Sequence, residues 1–359
     1  MTPAPSARRR IIAAFLVCAA LLAAAYTAYW FHVAGLVGKA VVQWSDQQRA
    51  AGWQVAYDRL EMAGFPLQLT VRLDGPSLTA PGGLGWRADS LTARAWPFRL
   101  GRLTLAAPGR HRLSFGGETA VLTAAGLTAD LRLDSAGRLR RLRATARSVA
   151  VQDTGDPAAG ADELSLSLDQ VASAAPLTAR SPVLTFAAAA AGLRLPPLPG
   201  LTLCRRIAAA SLSGQVRGPL PPAPPGKPES PLDTLARWSA AGGTVTVDHL
   251  SLDWQPLGLD ASGTLALDRR LQPLAAFCAQ VRGYAQLMDR LAEARMVDRG
   301  AANAAKLMLS LMARPDSQGR PAVPVPLTVQ DGLLWLGPAR IGAVPPIPWP
   351  PRLVRPVGG

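Results

Sequence analysis

Apolar and polar residues alternate along much of this chain. In residues 67–73 every second residue is apolar, and Gly75 with Pro76 ends the run. A period of two places all the apolar side chains on one face of a β-strand. The same alternation starts again at six later positions, which are Leu103, Leu127, Leu164, Val245, Leu250 and Leu265. Glycine and proline separate these runs, which predicts a long curved antiparallel sheet with one apolar face.

Two later segments depart from this alternation. Residues 219–231 contain seven prolines, which predicts a surface loop. In residues 281–313 the apolar period changes to about 3.6 residues, which predicts a helical hairpin that caps the sheet. Its two apolar stripes consist of Tyr284, Leu287, Met288 and Leu291, and of Leu307, Met308, Leu311 and Met312. Asp331 and Gly332 then predict a tight β-hairpin turn, and residues 344–359 predict an irregular proline-rich tail.

The start of the chain predicts a membrane anchor. Residues 11–31, from Ile11 to Phe31, carry no charge and follow three arginines, and a helix of that length spans about 31 Å. Tyr26, Tyr29 and Trp30 lie near its far end, where aromatic residues meet the membrane surface. The arginines predict that residues 1–10 stay in the cytoplasm and that the segment crosses a bacterial inner membrane once. The alternative is a signal peptide that is cleaved after the alanines at 23–25.

The rest of the chain predicts an exported domain on a stalk. Residues 32–52 form a helical stalk, which Gly52 ends, and residues 53–343 form a β-rich periplasmic domain. The apolar stripe of the stalk contains Leu36, Ala40, Val41 and Trp44. The predicted fold class is mainly β, of the α+β type, with an N-terminal transmembrane helix, a long curved antiparallel sheet and one helical hairpin near the C-terminus.

The composition limits the classes of function. Hydrophobic residues make up 49% of the 359 residues, which excludes a wholly disordered chain. The formal charge is +14, and all but three of the 38 basic residues are arginines. The densest run, at residues 138–147, has no aromatic residues between its arginines, so nucleic acid is not a predicted partner. These arginines are expected on a solvated strand edge, and contact with anionic lipid headgroups or a partner is the alternative.

No sequence pattern indicates catalysis, a metal or a cofactor. The three histidines, His32, His111 and His249, lie outside the spacings that bind zinc. Nucleotide-binding and nucleophile-elbow motifs are absent from the sequence. Asp248 and His249 are neighbours on a predicted strand, so they are expected to point to opposite faces. The sequence therefore predicts a protein that is not an enzyme.

Two cysteines follow the predicted anchor, Cys204 and Cys278. In the periplasm, which is an oxidising compartment, they can form one disulfide. The alternative is that both side chains are buried as small apolar residues.

Several short motifs resemble a known family. They are the arginine-rich start with its single anchor, Trp44, Gly64–Phe65–Pro66 before an alternating strand, Trp86, Trp96, and the segment from Asp331 to Gly337. Together they resemble the domain-of-unknown-function family numbered two-one-two-five, whose members are membrane-anchored envelope proteins of alphaproteobacteria. The resemblance implies an architecture and a compartment, without catalytic residues. The order of anchor, alternating strands and amphipathic helix is more loosely similar to AsmA-like envelope proteins, which are implicated in lipid handling.

Two functions fit a sheet with one apolar face. In the first, the face stays open and forms a groove that binds or transfers lipid or another hydrophobic ligand. The candidate groove residues are Leu67, Leu69, Val71 and Leu73. In the second, the protein is a non-catalytic envelope scaffold whose β core is closed and whose loops bind partner proteins. An open apolar face favours the first function, and a closed core favours the second.

Overall fold

The computed structural model describes residues 5–81, 83–115, 118–153, 156–171, 178–195, 205–219, 231–293, 297–316, 318–337, 339–347 and 349. Within these residues, strands make up 55% and four helices accompany them. The helices are α1 (Pro5–Ala50), α2 (Pro231–Ala240), α3 (Tyr284–Glu293) and α4 (Arg299–Met312). The strands before the middle of the chain are β1 (Gln54–Ala56), β2 (Arg59–Ala63), β3 (Leu69–Asp74), β4 (Ser77–Thr79), β5 (Gly85–Ala88), β6 (Ser90–Trp96), β7 (Arg99–Ala106), β8 (Gly109–Phe115), β9 (Glu118–Leu133) and β10 (Leu139–Asp153). They are followed by β11 (Asp156–Gln170), β12 (Pro182–Arg194), β13 (Arg206–Arg217), β14 (Thr244–Trp254), β15 (Leu257–Leu267), β16 (Pro273–Arg282), β17 (Arg314–Pro315), β18 (Pro321–Gln330), β19 (Leu333–Leu336) and β20 (Ala339–Ala343).

The sheet divides into two branches at strand β9. One edge of β9 pairs with β10 over most of its length. Along the other edge, residues 128–132 pair with β7 and residues 118–124 pair with β8. One branch therefore runs through β7, β6, β3 and β2, and the other through β8, β5, β4 and β1.

Beyond β10 the strands follow one another in chain order. Each strand from β10 to β15 pairs with the next, and β16 then pairs with β18, which leads to β19 and β20. All of these pairs are antiparallel, and the sheet is not closed. The predicted mainly β fold with a long antiparallel sheet is confirmed.

A single helix, α1, contains both the predicted anchor and the predicted stalk. It has 46 residues and ends at Ala50, after which Gly52 adopts the left-handed region at φ +83°. Its buried residues Trp30, Val33 and Ala34 form a core cluster with Leu69 of β3. Their spacing of three and four residues places them on one face of the helix. The sheet is thus attached to the middle of α1, and the helix continues beyond it toward the N-terminus.

The face of α1 that packs is not the predicted stripe. Leu36 and Trp44 are 52% and 48% exposed, whereas Trp30 is 4% exposed. The helical period identifies every apolar stripe on α1, but the position of β3 decides which stripe is covered. The stripe through Leu36 and Trp44 therefore faces away from the sheet.

Helices α3 and α4 form the predicted hairpin, but its apolar stripe does not cap the sheet. Asp298 begins α4 by accepting hydrogen bonds from the backbone N–H groups of Gly300 and Ala301. Ala302 is the one buried residue of α4, which packs beside β18. The apolar stripe of the later turns stays exposed. Its side chains are 57% to 75% exposed: Leu307, Met308, Leu311 and Met312.

Helix α2 was not predicted from the sequence. It has ten residues and follows a proline-rich run, and so short a segment gives only a weak periodic signal. Trp238 is buried and donates a hydrogen bond from Nε1 to the carbonyl oxygen of Arg217 at 2.9 Å. Residues 220–230 of the predicted loop lie outside the described residues.

Candidate functional site

An unbroken row of apolar residues crosses the sheet from β3, which lies next to helix α1, to β18. Because strand pairing is in register, one residue from each of twelve strands lies directly opposite the next. The row consists of Val71, Ala93, Leu105, Ala129, Ala144, Leu166, Ala188, Leu212, Leu250, Ala261, Ala279 and Val325. With about 4.8 Å between neighbouring strands, the row is about 50 Å long. We call the side of the sheet that carries this row the apolar face.

The middle of the apolar face is open. Leu166 is 38% exposed, and Leu105, Leu212 and Leu250 are only half-buried. In the part of the chain that the structure describes, no helix packs extensively against strands β10 to β15. From Leu105 to Leu250 the described chain therefore covers the apolar face only in part, whereas Ala261 and Ala279 further along the row are buried.

The predicted groove residues lie at the end of the face that helix α1 occupies. Leu69 is 2% exposed and packs against Trp30 and Ala34, and Val71 is 7% exposed. Leu73 is half-buried, whereas Leu67 lies in the turn before β3 and is 66% exposed. The open part of the face therefore begins further along the sheet than predicted. Its position depends on which strands lie next to α1, which alternation within one strand does not determine.

An aromatic junction joins α1 to two turns of the sheet. Tyr29 stacks on Phe98 with ring centroids 5.3 Å apart, and Trp30 meets Phe65 edge to face at 5.5 Å. The hydroxyl of Tyr29 donates to the carbonyl oxygen of Pro97 at 3.1 Å. The indole N–H of Trp30 donates to the carbonyl oxygen of Gln68 at 3.2 Å. The hydroxyl of Tyr26 donates to the carbonyl oxygen of Pro66. The junction consists of Tyr26, Tyr29, Trp30 and Phe31 of α1, and of Phe65 and Phe98.

The opposite side of the sheet carries a positively charged cleft of about 520 Å³. Its arginines are Arg94 of β6, Arg99 and Arg102 of β7, Arg132 of β9, and Arg141 and Arg143 of β10. Asp130 is the one carboxylate in the lining, and it accepts a hydrogen bond from Thr104 at 2.7 Å. Of the six arginines, Arg141 alone forms an ion pair within the described residues, with Asp169. This arginine cleft has a large excess of guanidinium groups and suits a phosphate or another anionic group.

Four of the five arginines at 138–147 divide between two environments. Arg141 and Arg143 line the cleft, whereas Arg138 and Arg140 pair with Asp134 beside the β9–β10 turn. The backbone N–H and guanidinium of Arg138 hold the pKa of Asp134 below its usual range. A solvated strand edge therefore describes only part of this run.

The remaining carboxylates with shifted pKa values lie in ion pairs at turns and strand ends. Hydrogen bonds from Arg194 lower the pKa of Asp162, and those from Arg110 lower the pKa of Asp89. The pKa of Asp316 is lowered to about 2, first by the backbone N–H of Arg320. Each of these groups is held in its charged form by a structural partner, which is the opposite of what a general acid needs at neutral pH.

The position of His111 favours a structural role, whereas His32 and His249 are exposed. His111 is 2% exposed, its Nε2 lies 2.9 Å from the carbonyl oxygen of Ala107, and the indole N–H of Trp86 donates to its Nδ1 at 3.4 Å. His249 and Asp248 are exposed at a β-bulge of β14, where the pairing register with β13 shifts. Within the described residues, no group of three or more His, Cys, Asp or Glu side chains is placed to hold a metal ion.

The β-bulge also explains a change of phase in the sequence. Val245 and Val247 occupy odd positions, whereas Leu250 and Leu252 occupy even positions. The extra residue at the bulge lets both pairs face the same side, since Val247 pairs with Gly214 and Leu250 with Leu212. The apolar face therefore continues through β14 without interruption.

The predicted disulfide stays a prediction. Cys278 is exposed on β16, and Cys204 lies outside the described residues. The alternative that Cys278 is buried as a small apolar residue is wrong, because its position in β16 places it opposite the apolar face.

The comparisons with known proteins identify a family without an assigned activity. Searches of curated proteins and of solved structures found no significant match, so the looser similarity to AsmA-like proteins is not shown. Residues 30–345 match the family described as "Uncharacterized protein conserved in bacteria (DUF2125)". The match begins at Trp30 and covers the arginine cleft, the whole apolar face and the aromatic junction apart from Tyr26 and Tyr29. The chain therefore belongs to the DUF2125 family of uncharacterised bacterial proteins.

Proposed function

We propose that this protein is anchored in the bacterial inner membrane by one helix and binds the acyl chains of lipids on its apolar face. In this proposal the N-terminus is cytoplasmic and the sheet lies in the periplasm. The observation that carries the proposal is the apolar row across twelve strands, whose middle is left open by the described chain. An exposed apolar surface of this length is an aggregation hazard unless a ligand, a membrane or a partner covers it.

The N-terminal part of α1 supports the anchor. Residues 15–50 form a helix that is long and apolar enough to cross a membrane. Between residues 15 and 22 the large apolar side chains project free of the sheet and are 59% to 72% exposed: Phe15, Leu16, Val17, Leu21 and Leu22. Arg8, Arg9 and Arg10 precede them, and the positive-inside rule places such a cluster in the cytoplasm.

The energetics of acyl-chain burial are sufficient for binding. Each methylene group removed from water contributes about 0.8 kcal/mol, so ten groups contribute about 8 kcal/mol before the cost of ordering the chain. The face is about 50 Å long by the spacing of its strands, which exceeds the length of one extended acyl chain. It can therefore hold an acyl chain at several places, or more than one chain.

The second candidate function is a non-catalytic scaffold that binds envelope partners. It requires the apolar surfaces of the sheet to close on each other, and the sheet is not closed. The geometry supports this alternative less well than lipid binding.

Native mass spectrometry of the full chain, extracted in mild detergent, tests the proposal. The wild-type protein is expected to retain phospholipid, and Leu166→Asp to lower retention at least tenfold, because the carboxylate places a charge in the middle of the face. Ser167→Asp is the matched control, since Ser167 lies on the same strand and points to the opposite face. Equal lipid retention by the two variants, or no lipid on the wild-type protein, would contradict the proposal.

A further inference from the structure

Two turns of the sheet expose large apolar side chains beside the membrane-directed part of α1. The turn between β2 and β3 carries Phe65 and Leu67, which are 48% and 66% exposed. The turn between β6 and β7 lies between Trp96 and Arg99 and carries Phe98, and Trp96 and Phe98 are 52% and 67% exposed. We call these two turns the aromatic tips. Side chains of this kind are normally buried in a soluble domain or placed at an interface.

The aromatic tips are fixed at one level of α1. The hydroxyls of Tyr26 and Tyr29 donate to the carbonyl oxygens of Pro66 and Pro97, one in each tip. Phe98 stacks on both tyrosines, with ring centroids 5.9 and 5.3 Å apart. Hydrogen bonds and ring contacts thus hold both tips against one helical turn, and the tips cannot change their height along α1 independently.

The length of α1 before its first contact with the tips determines how deep the aromatic tips lie in the bilayer. Residues 11–25 lie between the arginines and the first tip contact, and fifteen helical residues span about 22 Å. The hydrocarbon core of a bilayer is about 30 Å thick. The helix therefore needs about five more residues to cross, and those residues are Tyr26 to Trp30, which contact the aromatic tips. An anchor that crosses the core completely brings the tips into the bilayer interface.

The arginine cleft lies beside the same tips. Trp96 and Arg99, at the two ends of the β6–β7 turn, both line it. Arg102 of β7 lies opposite Arg132 of β9, which lies opposite Arg141 of β10, so three guanidinium groups follow one another across this end of the sheet. Aromatic side chains beside a dense positive charge are the combination found where proteins contact anionic lipid surfaces.

We propose that the aromatic tips insert into the periplasmic interface of the anchoring bilayer and that the arginine cleft contacts the phosphates of its lipid headgroups. This inference rests on the proposed anchor and is independent of acyl-chain binding on the apolar face. It holds the first strands of the sheet at the membrane surface, so that the apolar face starts at the lipid and extends away from it.

Spin-label accessibility of the full chain in phosphatidylglycerol nanodiscs tests the insertion. A nitroxide at Leu67→Cys, in a background with Cys18, Cys204 and Cys278 replaced by alanine, is expected to collide more with oxygen than with a nickel chelate, as interfacial labels do. Leu113→Cys is the matched control, because it is an exposed leucine on β8, which pairs with the half of β9 remote from the tips. It is expected to collide with the nickel chelate as freely as a label in water.

A spin label on the native Cys18 tests the membrane anchor alone and so distinguishes failure of the anchor from failure of the aromatic tips to insert. Cys18 lies in the free part of α1 and is exposed, so a nitroxide on Cys18 alone is expected to be shielded from the nickel chelate. A shielded Cys18 label together with a Leu67→Cys label as accessible as Leu113→Cys would overturn the insertion of the tips and leave the anchor standing. A water-accessible Cys18 label would overturn both.

A separate experiment tests the contact between the arginine cleft and the lipid phosphates. Arg102→Gln with Arg132→Gln is expected to raise nickel accessibility at Leu67→Cys severalfold in phosphatidylglycerol nanodiscs and to leave phosphatidylcholine nanodiscs unchanged. An equal effect in both lipids, or no effect in either, would overturn the contact between the arginine cleft and anionic headgroups.

Discussion

Single aspartates organise the hairpin turns of this sheet. At residues 134–138 and 316–320 the same arrangement recurs, in which an aspartate Oδ1 accepts backbone N–H groups two and four residues later. The fourth residue of each turn, Gly137 or Gly319, has φ near +76° or +75°, a region that glycine adopts without strain. The last residue is an arginine whose Nε donates back to the aspartate at 3.0 Å. One carboxylate therefore fixes the backbone of each turn and the position of an arginine.

Asp316 predicts a pH dependence of stability at low pH. Its side chain is 3% exposed and also accepts a hydrogen bond from Arg282 of β16 at 3.2 Å. Because the folded-state pKa is lowered from 3.8 to about 2, the stabilisation is present above pH 3.8 and is lost as the pH falls toward about 2. Asp316→Asn is expected to destabilise the protein at neutral pH, and this difference from the wild type is expected to shrink through that window. Denaturant unfolding at several pH values measures it, and a difference independent of pH would contradict the assignment.

Residue-scale features were partly predictable from the sequence. Asp331 and Gly332 were predicted to form a tight turn, and both adopt positive φ, at 52° and 69°, between β18 and β19. The repeated pattern of aspartate, serine, a variable residue, glycine and arginine at 134–138 and 316–320 was available in the sequence and was missed. The bulge at Asp248 was visible only as a change in the phase of alternation, because one extra residue leaves no other mark in the sequence.

Among the elements, the strands were predicted better than the helix contacts. Alternation follows directly from the geometry of a strand with two different faces, so it can be found without knowledge of neighbouring strands. The packed stripe of α1 and the exposed stripe of α4 depend on contacts with distant elements, such as β3 and β18. Periodicity identifies an amphipathic helix, but it does not show which apolar side chains meet a partner.

Two tryptophans of α1 test this account of the helix. Trp30 is 4% exposed in the core with Leu69, whereas Trp44 is 48% exposed on the same helix. Trp30→Ala is expected to lower the free energy of unfolding by about 3–5 kcal/mol, because it removes a buried aromatic side chain and leaves a cavity. Trp44→Ala is expected to change it by less than about 0.5 kcal/mol, as for other surface substitutions.

Denaturant unfolding of the full chain in detergent measures both variants. Equal losses for Trp30→Ala and Trp44→Ala would show that α1 packs against the sheet through a different face.

At the scale of the whole molecule, the sheet is asymmetric in three respects. One side carries the apolar row, the other side carries the arginine cleft, and α1 covers only the end of the apolar face near Leu69. The one-sided sheet was predicted from alternation, and its openness was not, since openness depends on what the rest of the chain covers. The arginine cleft was not predicted either, because strand pairing brings together arginines that lie up to 49 residues apart, between Arg94 and Arg143.

The central claim is that the open middle of the apolar face contacts lipid acyl chains. The most direct measurement is photo-crosslinking of the full chain in its native membrane, with p-benzoylphenylalanine in place of Leu166 or, as the control, of Ser167. The account predicts covalent lipid adducts from position 166 and few or none from position 167, because the two side chains point to opposite faces of β11. Adducts at equal yield from both positions, or none from position 166, would contradict it.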